Sequence, residues 1–153
     1  MLQRPSVDSF RFAQASQTWR GEADIRDFAR LAEALPESRG PLLYEARGFV
    51  DRERRPCLEV GVETVLTLVC QRCLGTMPWP LKVARRLYLA RTEGEAERLE
   101  AEAGQAADAE VLAAPGPVDL AALVEDEVLL GLPLIPRHEE RQCPAGAPVT
   151  DLN

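Results

Sequence analysis

At 153 residues and 46% hydrophobic, with no run of about 18 uncharged apolar residues, the chain suits one domain with a real core, spanning 1–153, and no helical membrane span. Its formal charge of −7 disfavours nucleic acid only in sum: residues 93–110 hold seven acids against Arg98, a net −6, which leaves the rest near −1. Met1-Leu2-Gln3-Arg4-Pro5 lacks the pattern of a signal peptide, so a cytoplasmic protein is expected, with its four cysteines serving as reduced thiols or metal ligands rather than a disulfide framework.

Taken in order, residues 6–22 place Phe10, Phe12 and Trp19 among short polar residues and read as one or two short strands. From Asp24 the apolar spacing becomes helical through Ile25, Phe28, Ala29, Ala32 and Leu35, which predicts a helix over 24–35 ended by Pro36. After the turn cluster 37–41, residues 42–50 and 57–69 read as strands, and Leu58, Val60, Val62 and Thr64 alternate with polar positions as a half-buried strand requires. The link between them, 51–56, suits an antiparallel hairpin. Its Arg52, Arg54 and Arg55 read most simply as a solvated tip, with a phosphate-contacting loop as the alternative.

Cys70-Gln71-Arg72-Cys73 interrupts the second strand, and Gly75 is expected to supply the backbone freedom of a tight turn. A redox pair of this spacing belongs at a helix N-terminus, but Gly75-Thr76-Met77-Pro78-Trp79-Pro80 cannot begin a regular helix, which points to a knuckle between strands. An extended pattern resumes over 81–90. With Lys82, Arg85 and Arg86 it is the most basic local stretch, and a polar strand face accounts for it without invoking RNA. The acidic segment 93–115 reads as an exposed mobile linker. A second helix follows over 118–131, capped by Asp119 and stopped by Pro133. Its consecutive Glu125, Asp126 and Glu127 point in different directions and form no catalytic dyad; solvation or arginine partners are expected instead.

His138, the only histidine, precedes Cys143 by five positions, so Cys70, Cys73, His138 and Cys143 form a zinc-type ligand set whose two halves lie far apart in sequence. Such a Cys3His shell would leave no open position for water, which makes a bound zinc structural. The alternative is a reduced thiol pair and a surface histidine without metal. The expected fold is α+β: an antiparallel sheet of about four to six strands covered by the 24–35 and 118–131 helices.

Two motifs give the chain a family likeness. They are Cys70-Gln71-Arg72-Cys73-Leu74, and Asp119-Leu120 through the acidic helix, Leu132-Pro133 and Pro136-Arg137-His138 to Cys143. In their order and in the acidic segment between them, the chain resembles the bacterial YceD family, also known from plant organelles, over roughly residues 20–143. The resemblance implies a role in accumulation of large-subunit ribosomal RNA and implies no catalysis. It leads us to expect a non-enzymatic ribosome-biogenesis factor that binds pre-rRNA or an early large-subunit intermediate, with Arg52, Arg54, Arg55, Arg72, Lys82, Arg85 and Arg86 as candidate contacts. Two alternatives stand beside it: an adaptor whose acidic segment binds a ribosomal protein or a nuclease, and a thiol-redox protein using Cys70 and Cys73.

Overall fold

The computed structural model describes residues 2–103 and 109–138; Cys143 lies outside them. The elements run β1 (Ser6–Val7), α1 (Ser9–Gln14), β2 (Thr18–Asp24), a 3-10 turn (Ile25–Asp27), α2 (Ala29–Ala34), β3 (Pro41–Val50), β4 (Pro56–Val69), β5 (Thr76–Ala90), α3 (Glu93–Ala103), β6 (Ala109–Ala113), β7 (Val118–Asp119) and α4 (Leu120–Leu130). Five strands form one sheet in the order β2-β3-β4-β5-β6, and β1 pairs with β7 in a small ribbon. The fold is thus α+β. The sheet is antiparallel except for its last pair, because β5 reaches β6 through a helical crossover and the two strands run parallel.

Strict alternation in β4 buries Leu58, Val60, Val62, Thr64, Leu66 and Leu68 on one side. Against that side pack Phe10, Phe12 and Ala13 of α1, Phe28 and Leu31 around α2, and Leu120, Ala121, Val124 and Val128 of α4. The opposite side is exposed around Leu43 and Val65, which are half exposed on it, while Cys57 and Ala90 on the same side are buried.

Several elements depart from the sequence reading. Residues 6–22 hold a helix between their two strands. The i, i+2 spacing of Phe10 and Phe12 imitates strand alternation, but the Asp8 carboxylate accepts the N–H groups of Phe10 and Arg11 and caps a helix there. The helix expected over 24–35 is split, because buried Phe28 is extended (φ −92°, ψ 110°) between the 3-10 turn and α2.

The acidic segment expected as a mobile linker contains α3 and β6. Its Glu- and Ala-rich composition favours a helix, Thr92 Oγ accepts the Glu95 N–H at 3.0 Å, and Ala96 is buried. Thr92-Glu93-Gly94-Glu95 is a capping-box sequence that could have revealed this. In the knuckle the left-handed residue is Leu74 (φ 63°) rather than Gly75.

Candidate functional site

The link between β4 and β5 spans Cys70 to Gly75. Cys70 N–H donates to the Gly75 carbonyl (2.8 Å) and Leu74 N–H to the Cys70 carbonyl (2.7 Å), so the two thiols project from a closed turn. The chain leaving α4 returns to this turn. Gln71 N–H donates to the Pro136 carbonyl at 2.8 Å, and His138 N–H points at Cys70 Sγ at 3.4 Å.

His138 Nδ1 lies 3.4 Å from Cys73 Sγ, while its Nε2 lies 3.2 Å from the Thr76 carbonyl. A carbonyl only accepts, so the Thr76 contact calls for a proton on Nε2, and Nδ1 is turned toward the sulfur. The ligand atoms of Cys70, Cys73 and His138 all lie within 4.8 Å of one another. Tetrahedral zinc with Zn–S of about 2.3 Å and Zn–N of about 2.0 Å separates its sulfur and nitrogen ligands by about 3.6 Å, close to the spacing of Cys73 and His138.

Sulfur electrostatics agree with metal binding. Burial opposes ionisation of Cys70, but N–H groups of His138, Cys73 and Arg72, together with the His138 ring, outweigh it and lower the thiol to about 5. The deprotonated sulfur is the form that binds metal. Gly75 N–H donates to Cys73 Sγ at 3.4 Å, and the Thr76 carbonyl holding Nε2 is the outer partner that a ligating histidine needs. Three of the four expected ligands therefore converge across 68 residues of sequence. The donor set of Cys70, Cys73 and His138 fits a soft or borderline cation such as zinc.

The basic residues separate by position. Arg52 and Arg54 sit exposed on the β3–β4 tip, and Arg55 there bonds Asp51 at 3.0 Å while its guanidinium lies 4.5 Å over the Tyr88 ring. Arg72 is half-buried in the knuckle. Lys82 and Arg86 are exposed on the side of the sheet opposite α4. Arg85 faces the helices, bonding Glu127 at 2.7 Å as well as Glu110, and so ties α4 to β5 and β6.

Three side chains escaped sequence reasoning: Arg47, Phe49 and Tyr88, which share that side with Arg86. The signal was present in strand parity, since odd positions of β3 and even positions of β5 fall on one face. Cys57 stands apart from the sulfur site and is a buried strand residue. No helix among the described residues is long and apolar enough to cross a membrane.

The model of the family described as large ribosomal RNA subunit accumulation protein YceD matches residues 58–152, from β4 through the knuckle to the end of the tail. A curated relative, the large ribosomal RNA subunit accumulation protein YceD of Haemophilus influenzae, is 26% identical over 142 residues, covering 93% of this chain and 79% of the relative. No solved structure gives a significant match.

Proposed function

The chain belongs to the YceD family of large ribosomal RNA subunit accumulation proteins, and from that membership we propose that it is a non-enzymatic factor supporting the synthesis, processing or stability of large-subunit ribosomal RNA. It acts in the cytoplasm by binding pre-rRNA or an early large-subunit intermediate. The family match across residues 58–152 carries this reading, because it spans both the Cys70-x-x-Cys73 turn and the His138 tail. A structural zinc on Cys70, Cys73, His138 and Cys143 pins the tail to the sheet. Arg52, Arg54, Lys82 and Arg86 supply contacts to the RNA, with Arg72 beside the metal.

Crosslinking in cells followed by sequencing tests the reading. Recovery of large-subunit rRNA sequences is the expected result; recovery of neither that RNA nor any large-subunit protein would sink it. For the metal, untagged protein should carry about one zinc per chain. A content far below that, with the fold intact in chelator, would remove zinc from the account.

The adaptor reading keeps one observation in its favour: Glu97, Glu100 and Glu102 are exposed along α3. Replacing all three by Gln leaves the helix in place and separates the readings, since it should spare RNA contact and abolish binding of a basic protein partner.

A further inference from the structure

The side of the sheet opposite α4 is ordered in rows across the strands. One row is Phe49, Cys57 and Tyr88; the next is Arg47, Glu59 and Arg86. The Arg47 and Arg86 guanidinium carbons lie 4.9 and 5.2 Å from the Phe49 ring centre, and that of Arg55 lies 4.5 Å from the Tyr88 ring centre. Glu59 holds the middle of the second row, bonding Arg47 at 3.0 Å and lying 3.8 Å from Arg86. Cations and half-exposed rings are thus held in a layer over buried Cys57, on the side of the sheet opposite α1, α2 and α4.

We infer that this face is a stacking platform for an unpaired stretch of RNA. The inference rests on the RNA-binding reading above and specifies the form of the RNA and the side chains that hold it.

Flat guanidinium and aromatic groups take splayed bases on their outer faces, and every base presents such a face. Rows two residues apart along a strand are about 6.7 Å apart, within the reach of successive nucleotides of an extended strand. Counting Arg52 and Arg54 at the adjoining tip, five arginines stand against Asp51, Glu53 and Glu59, a local charge of +2 on a chain of −7.

Beyond the arginine row, Gly61 and Ala84 leave a shallow groove of about 910 Å³ bordered by three carboxylates, Glu22, Glu45 and Glu63, and two cations, Arg20 and Lys82. A Cβ on Gly61 would meet only the Val83 carbonyl oxygen, at 3.7 Å, so the groove is open above it. Carboxylates there accept hydrogen bonds from base amino groups but repel phosphates. They suit a strand whose bases face the sheet and oppose a duplex, which would present its backbones.

The experiment is fluorescence anisotropy with the full chain, using a labelled unstructured oligouridine of about 12 nucleotides and an RNA duplex of similar length. The single strand should bind more tightly, and its affinity should fall only weakly with salt, as about two or three phosphate contacts require. The pair Phe49→Leu and Tyr88→Leu should weaken it by about tenfold or more. Arg47→Gln with Arg86→Gln, both at exposed positions, should weaken it by about fivefold and keeps the test decisive if the aromatic variant fails to fold.

Unchanged affinity in the folded variants, or preference for the duplex, overturns the platform while leaving RNA binding in place. Absence of binding by the wild-type chain to either RNA overturns the platform and the RNA-binding reading together.

Discussion

Three successive acids of α4 divide their work because successive residues turn about 100° around a helix. Glu125, 1% exposed, accepts from Arg4 Nη2 at 2.9 Å and from the Arg30 N–H at 2.8 Å, so it caps the uncapped start of α2 from another element. Asp126 bonds Arg30 at 2.8 Å in the solvent-facing part of the same cluster, and Glu127 takes Arg85. Glu125→Ala should therefore cost about 2 kcal/mol in urea unfolding, and Asp126→Asn under about 0.5 kcal/mol, since only the first removes a buried acceptor. Equal losses would contradict the division.

Cys57 gives a residue-scale pH prediction. Burial, helped by Asp51 and opposed by Arg86 and Arg55, pushes its thiol up to about 11. Below about pH 8.5 the thiol is protonated in both folded and unfolded chains and contributes nothing to pH dependence. Above that the unfolded chain loses the proton that the folded chain keeps, so stability falls as pH rises toward 11. Relative to Cys57→Ala, the wild-type protein should lose about 1–2 kcal/mol between pH 7 and pH 10 in chemical denaturation. Parallel stability curves for the two proteins would refute this.

At the scale of elements, α1 lies so close to β3 that a Cβ on Gly48 would sit 2.6 Å from the Phe12 carbonyl oxygen and 2.8 Å from Ala13 Cα. Backbone cannot step aside as a side chain can. Gly48→Ala should cost about 2–3 kcal/mol, read from the urea midpoint. Gly61→Ala, with open space above it, should cost under about 1 kcal/mol, and reversal of that order would mean that α1 is not seated as described. For α3, Thr92→Ala removes the acceptor of the Glu95 N–H. Hydrogen exchange over 93–103 should quicken by about fivefold, corresponding to roughly 1 kcal/mol, with the β3–β4 hairpin unaffected.

Across the whole molecule, the tail after α4 closes the chain upon its own middle. Gln71 and Cys70 hold it through Pro136 and His138, while at the other end of α4 the β7 strand pairs Val118 with Val7 and Asp119 with Ser6. The helix is thereby tied at both ends to distant segments of sequence. With zinc at the knuckle, chelation should lower the urea midpoint and speed exchange at both 70–76 and 131–138, and Cys73→Ser should reproduce the effect without chelator. A response confined to one of the two segments would show that the tail and the turn are not coupled.

What local sequence determined here is what local chemistry can determine. Alternation set β3 and β4, the polar stretch 51–56 set their hairpin, Asp119 and the apolar stripe set α4, and Cys70-x-x-Cys73 with the proline-rich stretch after it set a knuckle rather than a helix. In the acidic segment, the burial of Ala96 and the parallel pairing of β6 with β5 come from partners remote in sequence, which local composition does not show. Only the tertiary structure decided that His138 meets Cys73, that Arg85 belongs to α4 while Arg86 faces outward, and that Arg47, Phe49 and Tyr88 share a surface. Those relations depend on strand register and on the path of the tail, and both are fixed by contacts between residues that the chain holds far apart.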